Sequence, residues 1–270
     1  MREAGTRKVA LTIAGSDPSA GAGVQADLKT FAALGVYGFS TLTAIVAQNS
    51  RRVSRLVALD PAIVTAQIET IVAERRPDSL KTGALGSAKI VEAVANAIVR
   101  FKLPAPVVDP VLIASAGVRL LDRTGEGALL QRLLPIARIV TPNLAEAQAL
   151  SGIDGASRRA MREMARALIR AGAPAVLIKG GHASGSGNRA QSIDLFHDGR
   201  EFVELRAPRI AGGGAHGLGC ALSAAIAAYL ARGLDLDQAI RRAKRYVTAA
   251  LRASFKLGTG RAVLDHFARA

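Results

Sequence analysis

A run of small residues, Gly212-Gly213-Gly214-Ala215-His216-Gly217-Leu218-Gly219, leads straight into the only cysteine of the chain, Cys220. An apolar, alanine-rich segment follows, Ala221 to Leu230. Glycine lets a loop wrap closely and take positive φ. The first N–H groups of a helix after such a loop have no partner inside it, and the helix dipole favours negative charge there. A phosphate-sized anion hole containing a thiol suits phosphoryl transfer, and the dipole predicts a lowered thiol pKa. The same residues equally describe a tight turn before a buried helix, with Cys220 as an inert small filler. This stretch alone does not choose between the two.

Further polar residues stand where apolar runs end: Asp17, Gln48-Asn49, Asp109, Asn143 with Glu146, and Lys179. In open α/β sheets ligands bind beyond the carboxyl ends of the strands, so acids, amides and a cation at several strand ends point to one shared site. Asp109, Asn143 and Glu146 could serve Mg²⁺, which keeps several waters and takes few protein oxygens. Asn143-x-x-Glu146 is also a helix capping box, and spacing by itself favours the cap. Lys179 is either a partner for phosphate or a strand-end lysine in solvent. Asp17 is either a substrate contact or a turn aspartate before Pro18.

Several alternatives lack their signatures. No G-x-x-x-x-G-K-[ST] or G-x-S-x-G occurs, and His182, His197, His216 and His266 show no zinc-ligand spacing. Only His216 stands out, because it lies inside the glycine-rich loop. Gly21-Ala-Gly23-Val-Gln-Ala26 fits a dinucleotide fingerprint in outline. However, Gly15 to Ala20 separate it from the preceding strand, and the next strand ends in Gln48-Asn49 rather than an acid. A substrate loop using Asp17 fits better.

The elements that must position these groups read as alternating strands and helices. Lys8–Ala14, Phe39–Ala47, Val53–Leu59, Leu80–Thr82, Pro106–Asp109, Ala137–Val140 and Ala175–Lys179 read as strands. Gln191–His197 and Glu201–Leu205 read as a hairpin turning at Asp198-Gly199. Helices are predicted over Val24–Leu34, Pro61–Arg75, Ala88–Phe101 capped by Ser87, Gly125–Leu134, Leu144–Leu150, Ser157–Ala171, the stretch after Gly219, and Leu236–Phe255. This order implies βαβ units and a largely parallel sheet with helices on both faces. No linker or repeat divides the chain, so residues 1–270 read as a single domain, with a short disordered N-terminus over about residues 1–7.

The chain has 270 residues, half of them hydrophobic, which is enough for a large core. One cysteine excludes an internal disulfide framework and fits a reducing compartment. No early apolar run suits a signal peptide or a membrane span, so a cytoplasmic location without membrane attachment is expected. The net charge of +15 invites a nucleic-acid reading. Its arginines are spread over helix faces, as at Arg158, Arg159, Arg162 and Arg166, and aromatics are only 4%, so stacking platforms are scarce. A general attraction for anions such as nucleotides is expected, and no nucleic-acid partner.

Ala14-Gly15-Ser16-Asp17-Pro18-Ser19-Ala20-Gly21-Ala22-Gly23-Val24-Gln25-Ala26-Asp27-Leu28-Lys29 resembles the N-terminal signature of the hydroxymethylpyrimidine/phosphomethylpyrimidine kinases of thiamine biosynthesis, within the ribokinase-like superfamily. The similarity continues through Gln48-Asn49, Lys81-Thr82-Gly83, Val108-Asp109-Pro110-Val111, Thr141-Pro142-Asn143-Leu144-Ala145-Glu146, Lys179-Gly180-Gly181-His182, the segment His216 to Ala227, and Leu257-Gly258-Thr259-Gly260. It implies an α/β three-layer sandwich, typically homodimeric, that uses ATP and Mg²⁺ to phosphorylate a hydroxymethylpyrimidine and its monophosphate. Ala84 leaves open another hydroxymethyl heterocycle such as pyridoxal, and Leu218 with the altered glycine run leaves open a non-catalytic pyrimidine-binding protein on the same fold. It implies that Asp17, Gly21, Gln48 and Ala84 meet the pyrimidine, and that Asp109 and Glu146 place the metal. Lys179, Asn143, His216 and Gly219 would meet the nucleotide. Gly217, Gly219 and the Cys220 N–H would form the anion hole, with Lys179 beside it and Cys220 as base.

The chain departs from the family pattern at four places. Ala20 replaces a glycine, Ala84 a frequent methionine, and Leu218 a threonine, while Ala211 to Ala215 replace a polar lead-in.

Overall fold

The computed structural model describes residues 7–114, 116–180, 191–210 and 214–268. Most of the N-terminal segment expected to be disordered, together with Gly181, His182 and Ala211 to Gly213, lies outside them. The strands are β1 (Val9–Ser16), β2 (Tyr37–Gln48), β3 (Val53–Ala58), β4 (Ser79–Thr82), β5 (Val107–Val108), β6 (Ile139–Val140), β7 (Val176–Ile178), β8 (Gln191–His197) and β9 (Phe202–Pro208). They form one sheet in the order β3-β2-β1-β4-β5-β6-β7-β8-β9. β2, β1, β4, β5, β6 and β7 run parallel, while β3 at one edge and the β8–β9 hairpin at the other pair antiparallel. This is the mostly parallel three-layer α/β sandwich that the strand–helix alternation predicts.

Helices cover both faces. On one side are α1 (Gly23–Ala33), α7 (Leu218–Ala231) and α8 (Leu236–Arg252). They enclose a core that includes Ala10, Phe31, Val107, Ile139, Leu177, Ala224 and Ile226. On the other side lie α2 (Pro61–Glu74), α3 (Ala88–Arg100), α4 (Arg123–Ala128), α5 (Leu144–Ser151) and α6 (Arg158–Arg170), around Leu11, Ile13, Ile68, Leu80, Val94, Val140 and Ile178. Ten of the 14 residues of α7 are buried, because the helix meets the sheet, α1 and α8 at once. Alanines at these positions let the backbones approach closely, which explains a helix that is apolar nearly all round.

Local signals set most of the boundaries. Asp60 accepts from the Ala62 N–H with Pro61 in the first turn of α2, and Ser87 accepts from Ile90 at the start of α3. The hairpin turns at Asp198-Gly199 as expected, with Gly199 at φ 88° and Asp198 Oδ1 accepting from the Arg200 and Glu201 N–H groups.

Other boundaries differ. The helix expected over Gly125–Leu134 begins at Arg123 and widens into a π-helical turn at Leu129–Leu133, before a 3₁₀ turn at Leu134–Ile136. Pro135 has no N–H to continue an α-helix, and its ring crowds the preceding turn. α8 stops at Arg252 rather than Phe255, since Phe255–Lys256 pair with Ala262–Val263 as a small separate ribbon, β10 and β11. β1 continues two residues past Ala14, to Ser16.

The sheet order positions the site. After β1 the chain moves outward to β2 and then returns to place β4 on the other side of β1, which makes a switch point between β1 and β4. Crevices at such points are where α/β sheets bind ligands.

Candidate active site

A cavity of about 830 Å³ opens along the carboxyl ends of the strands. Its lining follows the strand order. Gly15, Ser16, Val46, Gln48 and Ala84 border one end, above β1, β2 and β4. Ser192, Asp194, Pro208, Lys244, Thr248 and Leu251 border the other, between the β8–β9 hairpin and α8. Between them stand Lys81, Asp109, Asn143, Glu146, Lys179 and the start of α7 from Gly217 to Cys220. The cavity has room for a small ring and a nucleotide end to end.

The loop before α7 works as the glycines suggested. Gly217 sits at φ 79°, and a Cβ there would come within 1.8 Å of the Gly21 carbonyl oxygen. Only glycine fits, because both the handedness and the close approach exclude a side chain. No side chain caps α7. Among the described residues the Gly219 and Cys220 N–H groups have no hydrogen-bond partner, so two donors and the positive end of the helix dipole face the cavity. A Cβ at Gly219 would lie 3.1 Å from Lys179 Nζ, which brings that ammonium beside the same donors.

Lys179 is not a strand-end lysine in solvent. Its Nζ donates to Asp109 Oδ1 at 2.8 Å, and both side chains are largely buried. Asp109 Oδ2 accepts from Ser223 Oγ at 3.2 Å, on the next turn of α7. Burial opposes charge on Asp109, but Lys179 and Lys81 outweigh it and hold the carboxyl below the usual range. Burial likewise opposes the Lys179 ammonium, and Asp109 and Glu146 outweigh it and push its pKa up.

Asn143 and Glu146 close the capping box that spacing favoured. Asn143 Oδ1 accepts from the Glu146 N–H at 2.9 Å, and Glu146 Oε2 accepts from the Asn143 N–H at 2.8 Å. The cap and a site role coexist, since both residues also border the cavity. Burial pushes Glu146 up to about 7 and the Asp109 charge adds to this, while Lys179 and the Asn143 N–H oppose it. A carboxyl whose pKa is raised above its unfolded value contributes stability at low pH that is lost as pH rises through the folded value. Glu146→Gln is therefore expected to flatten the fall in Tm of the metal-free protein between about pH 5 and 7. A slope equal to that of the parent would contradict this. The lowered Asp17 and Asp109 act in the acid range below this window, with the opposite sign.

Asp17, Gly21 and His216 pack together at one end of the cavity wall. Asp17 is fully buried, and both of its oxygens are occupied. Oδ1 accepts from the N–H and hydroxyl of Ser19. Oδ2 accepts from the Ala22 N–H and meets His216 Nε2 at 2.8 Å. Burial would raise its pKa, but these hydrogen bonds outweigh that and lower it. Asp17 therefore shapes its own loop and does not line the cavity. Gly21 does not line it either; a Cβ there would strike the His216 ring at 2.4 Å, so its glycine makes room for that ring. His216 borders the cavity but spends Nε2 on Asp17, and its N–H donates to Ala262 O at 2.8 Å. These contacts tie the two glycine loops together, with Asp17 and Gly21 behind the cavity wall and His216 on it. Gln48 and Ala84 also border the cavity, and the Gln48 side-chain amide makes no hydrogen bond among the described residues.

Cys220 also differs from expectation. The helix dipole predicts a lowered thiol pKa, but burial pushes it up to about 12, with Asp109 and Asp27 adding to the rise and Lys81 opposing it. The resting group is a thiol.

One departure in the sequence has a visible cost. Ala20, where the resembling family carries glycine, sits at φ 55°. Left-handed backbone costs an L-residue about 1–2 kcal/mol. Ala20→Gly is expected to raise unfolding stability by about 1 kcal/mol in denaturant melts, after allowance for glycine's freer unfolded state. A loss of stability would contradict the strain.

A buried pair escaped sequence reasoning. Lys81 and Asp27 are fully buried, with Nζ to Oδ2 at 2.8 Å, and Thr12 Oγ1 donates to the same oxygen at 2.6 Å. Nothing local signals a pair 54 residues apart; only the packing of α1 on β1, which pairs with β4, joins them.

The chain matches the family model described as phosphomethylpyrimidine kinase over residues 17–265. It is 46% identical to the hydroxymethylpyrimidine/phosphomethylpyrimidine kinase of Rhizobium meliloti, over 97% of each protein. It is 45% identical over 95% of its length to the thiamine biosynthesis bifunctional protein ThiED of Geobacter sulfurreducens, of which it spans 51%. Among solved structures, the pyridoxal kinase of Staphylococcus aureus in complex with AMP-PCP and pyridoxal superposes with a TM-score of 0.89 at 38% identity, covering 98% of this chain and 95% of that one.

Proposed function

The chain belongs to the phosphomethylpyrimidine kinase family, and on that premise we propose that it phosphorylates 4-amino-5-hydroxymethyl-2-methylpyrimidine and then its monophosphate with ATP, in thiamine biosynthesis. One observation carries the reading. The free N–H groups of Gly219 and Cys220, the Lys179–Asp109 pair and Glu146 converge midway along a single cavity that runs from Gln48 to the β8–β9 hairpin.

The residues divide the work. Gln48 reads the aminopyrimidine edge through its amide, and Ala84 leaves space beside the ring. Lys179 and the two α7 N–H groups gather the charge that spreads over the transferred phosphoryl, where positioning and electrostatics supply most of the catalysis. As the hydroxymethyl oxygen forms its bond to the γ-phosphorus, the bond from that phosphorus to the bridging oxygen breaks and ADP leaves with the electron pair. The hydroxyl proton passes to Cys220 Sγ. The resting thiol must first give its own proton to solvent, and a conjugate acid as weak as about 12 makes the thiolate a strong base.

Asp109 and Glu146 suit Mg²⁺. Two carboxyls border the same cavity, and the Asp109 charge raises the cost of ionising Glu146, as expected where a cation is to be received. Magnesium, when bound, offsets nucleotide phosphate charge. Among the described residues no group of three or more His, Cys, Asp or Glu could hold a metal ion. Because Glu146 must lose its proton, Mg²⁺ affinity rises with pH through about 7.

We read residues 1–270 as one kinase domain, homodimeric and cytoplasmic. Among the described residues no helix is long and apolar enough to cross a membrane.

A second substrate is favoured by one residue and one likeness. Ala84 widens the pyrimidine end, and the Staphylococcus aureus structure is a pyridoxal kinase. Steady-state kcat/KM for the hydroxymethylpyrimidine, its monophosphate and pyridoxal, measured side by side, decides between them. The pyrimidines are expected to lead, and a reversal would make pyridoxal the substrate.

A further inference from the structure

We propose that Lys81 is a positioning residue for the reaction: anchored by Asp27 and Thr12, it holds a fixed ammonium in the cavity wall behind Cys220, so that the sulfur can carry negative charge. The inference rests on the kinase reading above and deepens it.

The geometry has three parts. Lys81 projects from β4 and borders the cavity beside Cys220, whereas Asp27, on α1, does not. The positive end of the pair is thus the end presented to the site. Gly83 leaves room for it, because a Cβ at that position would lie 2.8 Å from Lys81 Nζ and 2.9 Å from Ala14 Cβ. The pair is also poorly satisfied for a purely structural one. Asp27 Oδ1 is buried without a hydrogen-bond partner, and among the described residues Asp27 Oδ2 is the only acceptor for the three Nζ donors of Lys81. Buried charges are normally paired and fully hydrogen-bonded, and a well-packed apolar pair at such a site is often as stable or more so. A fold that keeps this arrangement at the switch point of the sheet gains from the charge.

Four charged groups face the Cys220 sulfur: Lys81 from β4, Asp27 from α1, Asp109 beyond β5 and Lys179 beyond β7. The two ammoniums favour the thiolate and the two carboxylates oppose it. Lys81 borders the cavity with Cys220 while Asp27 stands behind it, so the cation is the nearer of the two charges and removing both as a neutral pair leaves the thiolate less favoured. No proton is transferred through Lys81; it acts by charge alone.

The chain's single cysteine makes the test clean, since alkylation by iodoacetamide reads Cys220 alone. Asp27→Asn/Lys81→Met keeps the interior neutral, and Asp27→Leu/Lys81→Met does so with an apolar partner. In either variant the alkylation rate at fixed alkaline pH is expected to fall by about tenfold, the thiolate having lost a neighbouring cation. kcat should fall with it while KM for the pyrimidine holds. A merely structural pair would give the opposite sign, because a loosened wall exposes the thiol and speeds alkylation. Unchanged or faster alkylation in a variant with a cooperative melt would overturn the proposal, as would failure of both variants to fold. The alkylation measurement needs no turnover, so it still reads the effect of the Lys81 charge on the sulfur in a parent protein inactive on pyrimidines, and the two failures are told apart.

Discussion

Cys220→Ser is expected to lower kcat for the hydroxymethylpyrimidine by about 10²–10⁴-fold, the usual contribution of a positioned general base. Serine keeps the size and the backbone N–H of the residue, so the anion hole survives and KM should change little. The hydroxyl is too weak an acid to offer a useful oxyanion, whereas the thiol, even raised to about 12, can. Steady-state rates and pyrimidine affinity by calorimetry separate the two effects. A variant that loses affinity and turnover together would assign Cys220 to packing. Unchanged kcat would make the sulfur a filler at the helix start and leave catalysis to Lys179 and the N–H donors.

Gly217→Ala tests the other half of the site. Its Cβ would meet the Gly21 carbonyl at 1.8 Å, and the backbone stands at φ 79°. Both neighbours are main chain, so neither can swing aside, and the first turn of α7 must shift away from the 17–22 loop. Loss of a single preorganised donor costs about 10²–10³ in kcat, and here the Gly219 and Cys220 donors move together. kcat/KM is expected to fall by at least that factor, with a lower Tm. Full activity with an unchanged Tm would mean that the loop does not form the anion hole. Comparison with Ala20→Gly is informative, since that change should relieve the same loop and move stability the other way.

Much of this arrangement is legible in local sequence because local physics sets it. Strand–helix alternation predicts the sheet, Asn143-x-x-Glu146 predicts the capping box, Asp198-Gly199 predicts the hairpin, and glycines at 217 and 219 predict the uncapped start of α7. Lys179 and Asp109 are legible as polar ends of apolar strands.

What local reading misses depends on packing between distant segments. Asp17 sits in a polar loop, yet it is closed off by His216 from 199 residues away. Lys81 is an unremarkable strand residue until α1 places Asp27 on it. The thiol of Cys220 follows the helix dipole in sequence and the burial of its surroundings in the fold, and burial wins because several elements desolvate it at once. The β10–β11 ribbon is two residues per strand, too short for any periodicity to show.

The most direct test of the site is a single-turnover experiment with ATP labelled at the γ-phosphate, excess protein and 4-amino-5-hydroxymethyl-2-methylpyrimidine. The label is expected in the phosphate ester of the pyrimidine, at a rate that collapses in Cys220→Ser and Gly217→Ala while ATP still binds. Label recovered only as inorganic phosphate, or an ester formed equally fast by all three proteins, would contradict a phosphoryl-transfer centre at the start of α7.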